Sequence, residues 1–508
     1  MCGIVGYAGR QQALPILLTG LRRLEYRGYD SAGVAVLDEG EVQVVRKAGK
    51  LEALEQALGS DGALSGLSGI GHTRWATHGQ PTDRNAHPHL DCSGKVAVIH
   101  NGIIENFYGL RGQLEAEGHR FASQTDTECV AHLVEAGLRE GLPFPDAVRS
   151  ALKRLEGSFA LAVKQTLEGR YDADHKLTLD ELRMSEDELR EVDKVFVVAC
   201  GTAYHAGLVA KYAIEHWTRL PVEIEMASEF RYRDPVLDRN TLVIAISQSG
   251  ETADTSAAVR YARRQRARVL SVCNTVGASI PRESDGVLYT RAGPEIGVAA
   301  TKTFATQLIA MYLLALYLAQ VRGTMFPDEA VAVVDELSQM PEKIQLCIDR
   351  LEDYRKVALK FAHNDSFLFL GRHVGYPMAL EGALKLKEIG YIHAEGYPAG
   401  ELKHGPIALI EEGTPVVVVN PHTHVYAKTV TNMQEVASRG AAVIAIAEDG
   451  DLEVDRHASD VMRVPPTTQL LSPLTTLVPL QALSYFVAVA RGAPVDKPRN
   501  LAKSVTVE

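Results

Sequence analysis

With 508 residues the chain is long enough for about two to four domains, and 46% hydrophobic content with a mean hydropathy of −0.05 describes a well-packed globular protein. A formal net charge of −11 argues against a general nucleic-acid or membrane-surface binder, which would present a basic face, so neither nucleic acid nor membrane is expected as a partner. No uncharged apolar run reaches the roughly 18 residues of a transmembrane helix. The opening MCGIVGYAGR lacks the basic stretch and long apolar core of a secretory signal, which points to the cytoplasm. Six scattered cysteines (Cys2, Cys92, Cys129, Cys200, Cys273, Cys347) form no CxxC pair, as suits reduced thiols, and offer no zinc-site spacing. The ordinary role of each is a small buried hydrophobe; only Cys2 stands apart.

Cys2 follows Met1 directly. A small second residue permits removal of the methionine, which would give Cys2 both a thiol and a free α-amine. That amine titrates at about 7.7–8 and can act as a base toward its own side chain. The alternative is a plain buried cysteine behind a retained methionine. Four polar clusters follow: LRRLEYRGYDSAG (21–33), GHTRWATHGQP (71–81), VAVIHNGIIEN (96–106) and SQTDTE (123–128). Each alone could be a turn or a cap; four within one segment suggest a polar pocket.

MCGIVGY, RRLEYRGYDSAG, HTRWATHG, HNGIIEN and SQTDTE resemble the class II, N-terminal-nucleophile glutamine amidotransferases. The resemblance implies that Cys2 attacks the glutamine amide and that Arg74 holds the substrate carboxylate, a bidentate task suited to a guanidinium. It implies that Asp126 takes the substrate ammonium and that Asn101 with the Gly102 backbone N–H forms the oxyanion hole. Thr77 and His78 would line the glutamine site, and Trp75 would gate the exit of ammonia. After GSFALAV (157–163) the family pattern continues through more strands. Here a charged stretch, 164–194, follows at once and reads as linker plus short helix. Against that pattern roughly a hundred residues are missing, about one small domain, so an open sheet edge and an uncovered apolar face are expected.

From Val195 onward the pattern is strand, Gly or Ser loop, helix: 195–217, 222–232, 243–255, 267–279. Such alternation predicts a parallel sheet with helices on both faces. The uncharged run 304–320 is read as a buried packing helix, being short and Ala-rich. The pattern restarts at 366–389 and 414–440, followed by 441–449, an internal duplication fit for two sister domains. In such sheets ligands bind outside the strand C-termini, where strand order reverses.

VIAISQSGETADT (243–255) is the stretch around which the chain is organised. A buried strand there gives way to Ser, Gly and Thr at a helix N-terminus. Free backbone N–H groups, the helix dipole and hydroxyl donors make a cradle for an anion; the plainer alternative is simple capping. ACGTAYHAG, EFRY, ISQSGETADT, EIGVAATKTF, ALEGALKLKEI, GELKHGP and DKPRNLAKSVTVE together resemble the sugar isomerase fold as found in amidotransferases. By that resemblance Thr202, Ser247, Gln248, Ser249 and Thr252 bind a sugar phosphate. Ala203 and Ala300 depart from it, standing where the family commonly has Ser.

Lys385 and Glu388 are three apart on one helix face, and Glu381 lies a turn earlier. Surface ion pairs are the usual outcome, but the apolar neighbours make burial plausible, and a carboxylate there could move a proton between two sugar carbons. His404, in a turn-like segment, could help open a sugar ring or be a loop histidine without a role. Lys503 could form an imine with an open-chain ketose or be an exposed tail lysine. The resemblance gives Lys385, Glu388, His404 and Lys503 the active roles, with His404 reaching in from a second subunit of a homodimer.

The expected architecture is α/β: a shortened αββα glutaminase domain (1–165), a linker (166–193), two doubly wound parallel-sheet sugar isomerase domains (194–335 and 336–491) and a catalytic tail (492–508). The activity implied is transfer of glutamine nitrogen to fructose 6-phosphate, giving glucosamine 6-phosphate, with ammonia passed between domains and no metal, pyridoxal phosphate or nucleotide as cofactor. Two rival readings keep the sugar fold: an ammonia-dependent enzyme or simple phosphosugar isomerase with a non-functional first domain, and a non-catalytic sugar-phosphate sensor.

Overall fold

A computed structural model describes the chain except for residues 1–2, 10, 25–29, 39, 60–63, 75–79, 81, 101–103, 105–106, 154–158, 173–174 and 507–508. The chain divides into two compact units, Met1–Gly157 and Ser158–Glu508.

In the first unit β1 (Gly3–Ala8), β2 (Ser31–Asp38), β3 (Glu41–Ala48) and β4 (Ser68–Arg74) form a four-stranded sheet in the order β1-β4-β2-β3, antiparallel throughout. Ala32, Val34 and Val36 alternate along β2, so all three face one way. They meet Leu14, Leu17 and Leu21, spaced at helical intervals on Ala13–Leu24, and Leu51 and Leu54 of a second helix. The other face is covered in part: Ser31, Ala35 and His72 on it are buried. Among the described residues the only other sheet of this unit is the pair β5 (His89–Leu90) and β6 (Ala97–Val98). Ile4 and Leu37, on that face by register, are 43% and 48% exposed. Helices Phe107–Ala116, Glu128–Arg139 and Phe144–Lys153 build a separate small core.

The second unit holds two five-stranded sheets with one topology. β7 (Lys194–Ala199), β8 (Val222–Met226), β9 (Thr241–Ser247), β10 (Arg268–Cys273) and β11 (Gly286–Tyr289) run β11-β10-β9-β7-β8. β12 (Ser366–Gly371), β13 (His393–Pro398), β14 (Pro415–Val419), β15 (Ala442–Glu448) and β16 (Asp460–Val464) run β13-β12-β14-β15-β16. Every pairing is parallel. Replacing each strand of one order by its counterpart in the other reproduces it, so the internal duplication is real. In each sheet the order reverses between the first and third strands, which places a ligand crevice beyond the ends of β7 and β9.

Helices Lys302–Arg322 and Pro473–Ala490 are long and apolar enough to cross a membrane, yet 89% and 72% of their apolar windows are buried. Both supply the core that the two sheets share. The stretch read as a linker is packed as well: Leu167, Leu177, Leu179, Leu182 and Leu189 join that core. Helix Phe159–Leu167, whose first residues were read as the end of the glutaminase segment, belongs to this second unit. The buried Arg170 anchors the stretch through the Thr166 carbonyl, 2.8 Å, and through Glu181 and the Tyr289 carbonyl.

Gly250 shapes the turn after β9. Its φ of +68° lies in the left-handed region, and a Cβ there would sit 2.5 Å from Ala278 Cβ and 2.7 Å from Cys273 Sγ. Gly250→Ala should therefore destabilise the second unit by about 2–4 kcal/mol through overpacking and backbone strain, measured as a lowered denaturant midpoint.

Candidate functional site

Two strand–helix junctions converge at the crevice. β9 ends on Ser247, whose Oγ lies 3.0 Å from Thr252 Oγ1 and accepts from the Gly250 N–H at 3.1 Å. Ser249 Oγ accepts from the Glu251 N–H at 3.2 Å, and helix Ala253–Arg264 begins directly after Thr252. β7 leads through Gly201, with φ +56°, into helix Thr202–Thr218. Both helix N-termini thus open on one space. A cavity of about 330 Å³ occupies it, lined by Thr202, Ser247, Gln248, Ser249, Thr252, Glu388 and Lys503 among others. All five residues predicted from resemblance to bind a sugar phosphate are therefore on its wall. Ala203 and Ala300 are there too, presenting methyl groups.

The C-terminal tail closes the crevice. Ser504 Oγ meets Ser249 Oγ at 3.0 Å, and the Val505 carbonyl accepts from the Ala253 N–H at 3.0 Å. Lys503, far from being a loose tail residue, donates to the Gly297 carbonyl at 2.6 Å and lies 3.7 Å from Glu295. Burial, with the Lys385 charge adding to it, holds the Lys503 amine below the usual lysine value of 10.5 against the pull of Glu295. A depressed amine keeps more of its neutral, nucleophilic form.

Behind Thr202 lies a buried charge network. Lys385 Nζ is 2.5 Å from Glu388 Oε2, 3.4 Å from Glu381 Oε1 and 2.9 Å from Thr202 Oγ1. Glu381 also accepts from Thr202 Oγ1 at 3.1 Å and meets His205 Nδ1 at 2.7 Å. Helical spacing puts Glu381, Lys385 and Glu388 on one face of Gly375–Gly390. Glu381 and Lys385 are fully buried, so the surface-pair alternative does not apply to them. Burial alone would push Glu381 up, but Lys385 and the His205 and Thr202 hydrogen bonds outweigh it and hold the carboxyl below 4.5. Burial would likewise pull Lys385 down, and the two carboxylates hold it above 10.5 instead.

His404 is not brought to this cavity by its own chain; it is exposed at the end of the short 3-10 helix Ala399–His404. Sequence reasoning overlooked His205 and Gln307. His205 lies three residues after Thr202, on the same helix face, which was the available signal. Gln307 lines the cavity, and its buried Oε1 has no partner among the described residues, leaving an acceptor for a sugar hydroxyl.

In the first unit Arg74 ends β4 and Asp126 lies in the turn before helix Glu128–Arg139; both are buried. Asp126 Oδ2 accepts from the Ile104 N–H at 2.7 Å. The turn is held by Glu128, which accepts from Ser123 N and Oγ at 2.6 Å, and by Thr125 Oγ1, 2.7 Å from His89 Nε2. Cys2, Trp75, Thr77, His78, Asn101 and Gly102 lie outside the described residues.

Fold and crevice define a class: a glutamine amidotransferase segment followed by a duplicated sugar-phosphate isomerase fold. The glutamine amidotransferase domain model matches residues 72–177, and the SIS domain model matches 188–317 and 360–491. A glutamine–fructose-6-phosphate aminotransferase [isomerizing] from Mycobacterium bovis is 50% identical over 625 aligned positions, covering 100% of each chain. One from Streptomyces coelicolor is 49% identical over 615 positions with the same coverage. The C-terminal domain of glucosamine-fructose-6-phosphate aminotransferase from Francisella tularensis superposes with a TM-score of 0.64 at 38% identity, covering 67% of this chain and 96% of that one. The chain belongs to the glutamine–fructose-6-phosphate aminotransferase (isomerizing) family. Since 625 aligned positions face only 508 residues, well over a hundred of them have no counterpart here, a deficit of the size read from the sequence after Val163.

Glu381→Gln should leave Lys385 short of a counter-charge and cost about 3 kcal/mol. Glu381 titrates below its unfolded value of 4.5, so its contribution is complete above that pH and is lost as pH falls through the depressed folded value. Denaturant midpoints of wild type and variant should differ most above pH 4.5 and converge on acidification; a gap unchanged by acid would contradict the pairing.

Proposed function

We propose that the chain transfers the amide nitrogen of glutamine to fructose 6-phosphate, forming glucosamine 6-phosphate and glutamate. In the first unit the Cys2 thiol attacks the glutamine amide carbon, ammonia leaves, and water hydrolyses the thioester to glutamate. Arg74 and Asp126 hold the substrate's carboxylate and ammonium, Thr77 and His78 line its site, Trp75 gates the ammonia exit, and Asn101 with the Gly102 N–H stabilises the oxyanion. In the second unit Thr202, Ser247, Gln248, Ser249 and Thr252 grip the sugar phosphate with neutral donors and helix N-termini. The Lys503 amine condenses with the C2 carbonyl of the open ketose and releases water; ammonia then displaces the lysine. Glu388 takes a proton from C1 and returns one to C2, while the C1 hydroxyl gives up its proton and the nitrogen gains one, leaving an aldehyde at C1 and an amine at C2. Lys385 positions the Glu388 carboxylate through their 2.5 Å contact. His404 assists ring opening from a second copy, which makes the working form a homodimer in the cytoplasm; its exposure away from its own chain's cavity supports that assignment.

The observation that carries this reading is Lys503 on the wall of the same cavity as Glu388 and the Ser247–Thr252 cradle, its amine depressed by burial. A sensor needs no such pair. Lys503→Arg keeps the charge and cannot form the imine, so turnover should fall by at least about a thousandfold while sugar-phosphate affinity, read by calorimetry, stays within a few-fold. Unchanged turnover would refute the catalytic assignment.

The partial cover over one face of the β1–β4 sheet keeps the ammonia-dependent alternative alive. Initial rates of glucosamine 6-phosphate formation with glutamine and with ammonium salt as nitrogen donor separate the two. Comparable rates are expected if the first unit works; synthesis from ammonium alone assigns the chain to the alternative.

A further inference from the structure

Away from both sites, in the small helical core of the first unit, four side chains of metal-binding type converge: Cys92, His119, His132 and Glu135. Cys92 lies in the turn joining β5 to β6, His119 follows helix Phe107–Ala116, and His132 and Glu135 stand three apart on helix Glu128–Arg139. The two histidines and the glutamate are buried, and Cys92 is exposed. Cys92 Sγ lies 3.8 Å from His119 Nδ1 and 3.5 Å from His132 Nδ1. Glu135 Oε2 lies 2.9 Å and 3.3 Å from the same two nitrogens. All four atoms are within 4.8 Å of one another.

Four of the six edges, the two S···N and the two N···O separations, are close to those of a small tetrahedron. Zinc bonds of about 2.3 Å to sulfur and 2.0–2.2 Å to nitrogen and oxygen put S···N edges at roughly 3.5 Å and N···O edges at roughly 3.3 Å. The surroundings suit a cation. Arg139 binds the other oxygen of Glu135 at 2.5 Å and leaves Oε2 aimed at the cluster. The Arg120 backbone N–H points at Cys92 Sγ, 3.3 Å away, as a donor to a thiolate would. His132 presents Nδ1 to the cluster, while its buried Nε2 has no hydrogen-bond partner among the described residues and lies 3.7 Å from Glu128 Oε1. A network without metal is also conceivable: both Nδ1–H groups would donate to the one carboxylate oxygen. That arrangement would load the Cys92 thiol and backbone N–H as well as both rings onto a carboxylate whose other oxygen Arg139 already holds.

We propose that Cys92, His119, His132 and Glu135 bind one divalent zinc ion in a closed tetrahedral site. Four protein ligands leave no open position, so the role is structural: it ties the β5–β6 turn and the end of helix Phe107–Ala116 to helix Glu128–Arg139. Binding converts the Cys92 thiol to a thiolate and releases its proton to solvent. Cys92, the exposed member, marks the route of entry.

The test uses the untagged full-length chain, incubated with zinc sulfate, desalted and assayed for metal by mass spectrometry, with cobalt(II) substitution in parallel. One zinc per chain is expected, with a near-ultraviolet thiolate-to-cobalt charge-transfer band and the intense visible bands of tetrahedral cobalt. Cys92→Ser should lower bound zinc at least tenfold and remove the charge-transfer band. Wild-type chain that retains no stoichiometric zinc and gives no such band overturns the proposal, whether or not the variant folds. A Cys92→Ser chain that keeps its zinc overturns it as well.

Discussion

A fully buried ammonium can exist only where acceptors replace the water it has lost, and Lys385 is such an ammonium. Its acceptors come from both halves of the duplicated fold: Glu381 and Glu388 from its own helix, Thr202 from the helix after β7. His205 completes the arrangement through Glu381. Breaking such a network strands a charge in a low-dielectric interior, so the two sister domains are held in one relation. Gly382 lets the helix of Lys385 pack closely within its own domain: a Cβ there would stand 2.6 Å from Leu480 Cδ2 and 2.9 Å from Phe369 Cε1. The same network sets one wall of the sugar cavity, because Glu388 faces it while Lys385 is held behind.

The two sheets share strand order and have diverged in chemistry. After β9 the chain reads Ser-Gln-Ser-Gly-Glu-Thr, after β14 Asn-Pro-His-Thr-His. Only the first offers a hydroxyl-rich turn at a helix N-terminus. The second domain contributes instead the charged face of the helix after its first strand. Thr202–Thr218 and Gly375–Gly390 occupy equivalent places in their domains, and they meet through Thr202, His205, Glu381 and Lys385. Duplication has thus placed a hydroxyl-rich turn and a charged helix face at one crevice, with the C-terminal tail laid across it.

The first unit is built on other terms. One face of its sheet is sealed by leucine-bearing helices, the other carries partly exposed Ile4 and Leu37. The alignment with full-length relatives is longer than the chain by more than a small domain's second sheet would need. The polar turn around Asp126 is held by its own hydrogen bonds, from the Ile104 N–H to Asp126 and from the Ser123 N–H to Glu128, while Arg74 lies by register on the same face as Ile4 and Leu37.

Much was legible in the sequence alone. Apolar runs marked β7, β9, β12 and β14, the first three leading into Gly or Ser and the last into Asn-Pro, because buried parallel strands need no polar alternation, and the repeat of that pattern marked the duplication. The Ser247–Thr252 turn and the Glu381–Lys385–Glu388 face were readable because both depend on short-range spacing. What spacing cannot reveal is which distant groups share a pocket. Burial of Lys385, the partnership of His205 with Glu381, the seating of Lys503 beside Glu295, the packing of residues 166–193 into the core, and the meeting of Cys92 with His119, His132 and Glu135 were decided only by the tertiary structure. Each joins side chains from separate elements, and only the folded chain brings them within bonding distance.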